Sequence, residues 1–384
     1  MKASIWVVAI MIAPILASPK YRKKSWSSSA KPTNTWSSSP PGPSDTNGYS
    51  SDYSNDYSKK KSTGNANQYQ ANQFYQQPAS SNGASGSSDT YPPSQTGSLA
   101  SGNIANGTVI SSGSITLPAG CQQKNDIGIG WLPSDTSLST IEGSLGAPSC
   151  WDGQYAQITT TGAYTDSNQQ LLGHLKDISN PANTIFVASV MPTISMSQVD
   201  DTVAQGVANV LSQFTTKGIE VWLRYAHEMN YYTTSGSEGG HYDGNPDTFK
   251  TSWAAMSRAV KANAKIKMFW SPNSGSPDDL QQWYPTEGQV DMVGIDIYPK
   301  EQQSFADVYG AFCQKFSSAS IPFVIGETGA GPSLKDGWFK ELVSPEAKTA
   351  CPNYLGFSWF EYDKEADFRV ATAGENIAKQ VLSS

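Results

Sequence analysis

The sequence predicts an α/β fold, a (β/α)8 TIM barrel preceded by a disordered low-complexity arm. Three observations predict it. Composition changes from Ser/Gly/Asn/Pro-rich to globular near Cys121, and from there to Ser384 the length is close to the roughly 250 residues typical of such barrels. Within that stretch, short apolar runs alternate with segments of helical period, the alternation that yields a parallel sheet.

Residues 1–18 read as a secretory signal peptide. Met1-Lys2 supplies a basic start, Ile5 to Leu16 is apolar apart from one proline, and Ala17-Ser18 ends it with small residues. About 12 apolar residues are too few for an ordinary membrane span. The expected protein is therefore secreted, extracellular or wall-associated, with no membrane contact once the leader is removed. Residues 19–120 are expected to form the arm, as in Trp36-Ser37-Ser38-Ser39-Pro40-Pro41-Gly42, because so few aliphatic residues cannot offset the entropy of ordering. Its basic clusters, Lys20, Arg22, Lys23 and Lys24 and then Lys59, Lys60 and Lys61, read as solvated tail rather than a binding site. Asn106-Gly107-Thr108 fits an N-glycosylation acceptor, a pattern common by chance.

Residues 121–384 form the expected catalytic barrel. Ile127 to Trp131, Ile185 to Met191, Val221 to Tyr225, Ile266 to Trp270, Met292 to Ile297, Phe323 to Gly326 and Leu355 to Phe360 read as strands, with a weaker one near Tyr155 to Thr159. Asp200 to Lys217, Asp247 to Asn263, Phe305 to Ser318 and Gly374 to Leu382 read as helices. On this count Val221 to Tyr225 is the fourth strand and Phe323 to Gly326 the seventh.

Four cysteines in a secreted chain argue for two disulfides in one of three pairings, with Cys121–Cys150 and Cys313–Cys351 favoured as neighbours. No CxxC pair is present and the three histidines lack ligand spacing, so no metal is expected. A net charge of −7 argues against nucleic acid as a partner and suits a neutral ligand. Aromatic residues at 11% could stack on sugars, but a core uses the same residues, so this alone decides nothing.

The chemistry is expected where strands end, because barrel active sites are built at the C-terminal rim. The fourth strand runs into Arg224-Tyr225-Ala226-His227-Glu228-Met229-Asn230, the seventh into Gly326-Glu327-Thr328, and the eighth into Ser358-Trp359-Phe360-Glu361. Glu228 and Glu327 therefore share one rim. A lone glutamate at a strand end is usually a surface or ion-paired residue, but two at matched ends can act on one bond. One carboxyl protonates a leaving oxygen while the other attacks an anomeric carbon, the requirement of glycoside cleavage. Asp296 and Glu361 read as supporting or rim groups. No cofactor is needed for such a reaction.

These residues resemble the clan of barrel glycosidases with the acid/base on strand four and the nucleophile on strand seven. Within it, Arg224-x-x-His227-Glu228-Met229-Asn230 resembles glycoside hydrolase family 26, as do Trp270-Ser271-Pro272-Asn273, Trp283-Tyr284-Pro285, Asp291-x-Val293-Gly294-x-Asp296-x-Tyr298 and Trp359-Phe360. The resemblance covers most of residues 127–370. It implies a retaining endo-glycosidase of β-linked polysaccharide, with mannan ahead of β-glucan and xylan; a monomer is expected. It also implies Glu228 as general acid/base and Glu327 as nucleophile. Among the substrate-binding candidates, His227 would stand beside the acid, Tyr298 would hydrogen-bond the nucleophile, Trp359 would floor the cleavage subsite, and Arg224 would keep Glu327 ionised. Asn230 and Trp270 complete that set. Tyr231-Tyr232-Thr233-Thr234 departs from the Trp-rich sequence that often follows the Met-Asn pair in the family, which leaves the outer subsites open. A non-catalytic wall glycan-binding protein is the expectation from another class, and transglycosylation by the same two glutamates is a third.

Overall fold

The computed structural model describes residues 110–133, 136–178, 184–234, 241–364 and 366–384. The expected signal peptide, the arm up to residue 109 with its basic clusters, and the Asn106 acceptor lie outside the described residues.

Eight parallel strands close a barrel: β1 (Ile127–Pro133), β2 (Trp151–Ile158), β3 (Ile185–Pro192), β4 (Val221–Tyr225), β5 (Ile266–Trp270), β6 (Met292–Val293), β7 (Phe323–Thr328) and β8 (Tyr354–Glu361). Closure is made by β8 on β1, in register from Gly356 opposite Gly128 to Glu361 opposite Pro133. The strand expected weakly near Tyr155 is the full β2. The strand expected over Met292 to Ile297 has only Met292–Val293 in the regular ladder and continues as a bridge between Asn273 and Asp296. Pro272, which brings no N–H to that pairing, lies just before Asn273.

Helices between the strands carry the stop and start signals that the chain supplies. Asp200 caps Asp201–Thr215, and Asn245 with Thr248 forms a capping box ahead of Pro246–Val260. Ser304 caps Phe305–Phe316, and Asn376 caps Ile377–Ser383. Each lies within three residues of its expected limits. Among the described residues, no helix is long and apolar enough to cross a membrane.

Side chains of a strand alternate between the barrel interior and the layer under the helices. Trp151, Ile185, Val187, Trp222, Phe269, Met292, Val324 and Leu355 fill the interior as one buried cluster. Trp151 packs at a tilt of 43° against Trp222, with ring centroids 5.0 Å apart. Its indole occupies space that Gly130 leaves open, since a Cβ there would run into the ring, whereas a Cβ on Gly128 would strike Leu117 and one on Gly356 the backbone of Gly128. The outward positions, such as Ile129, Leu223, Met268 and Phe357, pack beneath the helices.

The fold begins earlier than the boundary expected at Cys121. Ser111–Ser112 and Ile115–Thr116 pair as an antiparallel hairpin, and Ile110, Ile115 and Leu117 join the interior cluster from below. The low aliphatic content of the arm hid this short apolar stretch. Gly113, at φ 59°, turns the hairpin against the backbone of Ser320, where a Cβ would collide. Cys121–Cys150 fastens this floor, and Cys313–Cys351 ties the Phe305–Phe316 helix to the segment before β8. Both are the favoured neighbour pairs.

A chain beginning at Cys121 should be less stable than one beginning at Ile110 by on the order of 1.5–3 kcal/mol for each of the three lost apolar side chains. Urea denaturation of the two chains checks this; equal midpoints would show that the hairpin is not part of the floor.

Candidate active site

The inward positions change character towards the C-terminal ends of the strands. Beyond Trp222 comes Arg224, beyond Val187 comes Ser189, beyond Phe269 comes Ser271, and beyond Met292 and Gly294 comes Asp296. Arg224 is fully buried and forks between two carboxylates. Its Nη1 donates to Glu327 Oε1 at 2.6 Å and to Ser189 Oγ at 3.1 Å, while its Nη2 donates to Asp296 Oδ2. The Ser271 hydroxyl donates to Asp296 Oδ1 at 2.7 Å. Gly326 leaves the room for this cluster, because a Cβ there would strike Ser271, Asp296 and Arg224. Register shifts between Ile325 and Thr328 break the alternation of β7 and accompany Glu327 at the mouth.

Glu327 accepts from three side chains: Arg224, the Tyr155 hydroxyl at 2.6 Å on Oε1, and the Tyr298 hydroxyl at 3.0 Å on Oε2. His227 Nε2 stands 3.7 Å from Oε1, beyond hydrogen-bond reach. Burial raises the Glu327 pKa, but Arg224 above all and then His227 and the hydrogen bonds outweigh it, so the carboxyl lies below its usual range.

Glu228 sits on a tight turn after β4. Ala226 and Glu228 both take left-handed backbone, with φ of 48° and 53°, which costs a non-glycine residue roughly 1–2 kcal/mol. The turn is held by Ala226 N–H on Val190 O at 2.9 Å and Glu228 N–H on Ser271 O at 2.8 Å. Asn230 then welds this loop to the one after β5: Asn273 N–H donates to its Oδ1 at 2.8 Å and its Nδ2 donates to Asn273 O at 3.0 Å. Burial first, then the charge of Glu327, pushes Glu228 up to about 7, with Arg224 and hydrogen bonds to Asn273 and Asp296 opposing.

The two glutamates remain slightly open, 7% exposed at Glu228 and 6% at Glu327, whereas Arg224 is closed off. One oxygen each from Glu228, Asp296 and Glu327 lies within 4.8 Å of the others. This is the one group among the described residues whose donor atoms converge closely enough for a cation, and Arg224 already supplies a positive charge between two of its members. Asp296 is raised by burial and by both glutamates, with Arg224 opposing. Burial and the Arg224 charge lower His227 to about 3, so its imidazole is neutral.

Six of the eight residues singled out from the sequence, Arg224, His227, Glu228, Asn230, Tyr298 and Glu327, come together here, although Asn230 spends its amide on backbone. Trp270 and Trp359 do not reach the mouth. Both are fully buried on the outward face, Trp270 among Tyr284, Phe312 and Phe316, and Trp359 against Phe339 with its Nε1 donating to Phe368 O at 2.9 Å. On β5 strand alternation explains the outcome, and on β8 a register shift next to Leu355 does: Leu355 joins the interior cluster, but beyond the shift Ser358 and Phe360 take the inward places, and Phe360 packs 5.6 Å from Tyr298. Glu361 is spent on the following loop, accepting from the N–H groups of Val370, Ala371 and Thr372. Sequence reasoning missed Tyr155 and Ser189. Both follow inward residues by two positions, as Trp151-x-Gly153-x-Tyr155 and Val187-x-Ser189 show.

The sequence model described as glycosyl hydrolase family 26 matches residues 155–370, more than half of the 384 residues. The chain belongs to glycosyl hydrolase family 26. It is a glycoside hydrolase. A family 26 β-mannanase from Bacteroides ovatus is 14% identical, with 68% of this chain and 85% of that one covered at a TM-score of 0.47. The family 26 domain of an endo-β-mannanase/endo-β-glucanase from Prevotella bryantii is 16% identical over 68% and 89%, at 0.45. A Bacillus subtilis mannanase is 14% identical over 67% and 86%, at 0.47. No curated protein matches the chain.

Replacing Arg224 with Met in this family 26 enzyme leaves two buried carboxyls without their counter-charge and should cost about 3–5 kcal/mol of stability, read from denaturant unfolding. A second expectation concerns pH. Because Glu228 holds its proton up to about 7 in the folded state against 4.5 ordinarily, its stabilising effect is present below pH 4.5 and fades as pH rises to about 7. Asp152, also raised to about 7, acts in the same window, so the readout is the difference between wild type and Glu228→Gln. The variant should show a flatter decline in thermal midpoint over that range; parallel curves would contradict the shift.

Proposed function

We propose that this glycoside hydrolase is a secreted, retaining endo-enzyme of β-linked polysaccharide, with β-mannan as substrate, Glu228 as general acid/base and Glu327 as nucleophile. The carrying observation is the opposed protonation of two glutamates that share one opening: Glu228 pushed up to about 7, Glu327 pushed down, with oxygens within 4.8 Å. Two carboxyls with opposite shifts divide into an acid and a base. A close pair favours direct attack, since an inverting pair, about 6.5–9.5 Å apart, leaves room for a water.

In the first step Glu327 attacks the anomeric carbon, the glycosidic C–O bond breaks, and the Glu228 proton passes to the departing oxygen. In the second, Glu228 takes a proton from water, whose oxygen displaces Glu327 from the sugar. Arg224 and Tyr298 keep Glu327 charged for this. Neutral His227 and the half-buried rings of Tyr155 and Tyr298 face the sugar, in place of the enclosed Trp359. Mannan is proposed because the family 26 motifs imply it; β-glucan and xylan are the other polymers for the same chemistry.

Reducing-sugar release should be largest on mannan among mannan, mixed-linkage glucan, laminarin and xylan. Glu327→Gln should abolish it, and Glu228→Gln should lower it by about 10²–10⁴-fold. For the free enzyme, kcat/KM should fall above about pH 7 as Glu228 loses its proton. Proton NMR of the first product should show the β-anomer. Binding without hydrolysis of any polymer by the folded protein would instead support a glycan-binding role, and an α-anomer would overturn the retaining step.

A further inference from the structure

Tyr155, Ser189 and Arg224 form one row across three neighbouring strands. Tyr155 on β2 is paired with Ser189 on β3, which is paired with Arg224 on β4. All three point into the barrel, Ser189 and Arg224 beneath the mouth, and the ladder fixes their spacing before any side chain is placed. Ser189 accepts from Arg224 Nη1, and that same nitrogen and the Tyr155 hydroxyl both donate to Oε1 of Glu327 at 2.6 Å. The ring of Tyr155 is braced at 5.5 Å from His227. Oε2 of the same carboxylate accepts a longer bond, 3.0 Å from Tyr298.

We propose that Tyr155 is a positioning residue for the nucleophile: together with Arg224 it pins Oε1, so that Oε2 is the oxygen that attacks the sugar. The proposal rests on the glycosidase reading of Glu327. Charge-assisted bonds of this length are the strong ones, and two of them on Oε1 hold both the plane of the carboxylate and the oxygen that is not used. As the bond from Oε2 to the anomeric carbon forms and the glycosidic bond breaks, the Glu228 proton goes to the leaving oxygen. Oε1 then becomes the carbonyl oxygen of the ester, still hydrogen-bonded by Arg224 and Tyr155. When water displaces the ester, the negative charge returns to a carboxylate already met by those donors. Burial, and after it the Glu327 charge, raises the Tyr155 phenol well above its ordinary value, so it stays a donor throughout.

The groups facing Glu327 are Arg224, His227 and Glu228 from β4 and its turn, Asp296 and Tyr298 from the segment after β6, and Tyr155 from β2. Of these, Tyr155 can be stripped of its hydroxyl without altering a charge. In full-length Tyr155→Phe, the Glu327 pKa should rise by about one unit, the worth of a hydrogen bond to a charged group. Carbon-13 NMR of protein labelled at the glutamate carboxyl, assigned with Glu327→Gln, reads this without any substrate. The acid limb of kcat/KM on the cleaved polymer should move up by the same amount, with kcat falling more than KM changes. In the unsubstituted protein, the Tyr155 hydroxyl proton should give a downfield signal that Glu327→Gln removes, a measurement that holds even if Tyr155→Phe does not fold. An unshifted Glu327 titration in a folded Tyr155→Phe, or no such signal, overturns the proposal. A shifted titration with no polymer cleaved upholds the hold on Oε1 and overturns the attack assigned to Oε2, which separates this inference from the functional reading.

Discussion

A guanidinium buried at the barrel axis must be neutralised where it stands, and much of the upper half of this molecule follows from that requirement. Arg224 has no exposure, and its fork takes Asp296 on one side and Glu327 on the other. Leaving such a charge unpaired in a low-dielectric interior would cost several kcal/mol, so the pair of acids is a condition of the fold as well as of the chemistry. Ser189 and Ser271 are small and polar where aliphatic residues would fill a barrel, and each bonds a member of the ion cluster. Gly326 is bare because Ser271, Asp296 and Arg224 occupy the space above it. The split between the glutamates follows as well: the one that touches the guanidinium is driven down, and the one set back from it is driven up by burial and then by the charge of the first.

The barrel interior is thus graded from floor to mouth. Hairpin side chains Ile115 and Leu117 lie lowest, then the Trp151, Trp222 and Phe269 layer, then the ion cluster, then the rings of Tyr155, Tyr298 and Phe360. A dry apolar layer directly beneath the charges strengthens every electrostatic interaction above it. The strained turn at Ala226 and Glu228 belongs to the same scheme, since it is braced by backbone bonds to β3 and to the loop after β5 and by the Asn230 amide. A carboxyl placed on rigid backbone loses little order when it acts.

Much of this was legible in the sequence because period and punctuation agree. The seven apolar runs are strands, and Glu228 and Glu327 do lie at the ends of the fourth and seventh. What the sequence concealed has specific causes. Trp270 and Trp359 resemble sugar platforms as residue types, yet a strand turns its side chains over at every step, so the neighbours Ser271 and Phe360 hold the inward places. Register is set by the whole barrel and is hard to read from one short run. Tyr155 was obscured because β2 mixes Asp152, Gln154 and Gln157 into its length and reads poorly as a strand. Asn230 looked like a ligand to sugar, but its partner is backbone on another loop, a contact with no local trace. Ile110, Ile115 and Leu117 were too few to stand out at the edge of a polar tract.

The packing of Trp151 over Gly130 has a consequence for how this interior can change over evolutionary time. The indole and that bare position are two halves of one volume. A side chain added at Gly130 alone meets the ring, and a smaller residue at 151 alone leaves a void beneath the ion cluster. Each single step goes downhill, while a paired exchange of bulk from β2 to β1 need not. Gly128 and Gly356 offer no such exchange, because a Cβ at the first would strike Leu117 and at the second the backbone of Gly128. The neck of the barrel is therefore isolated in sequence space by the coupling of its parts.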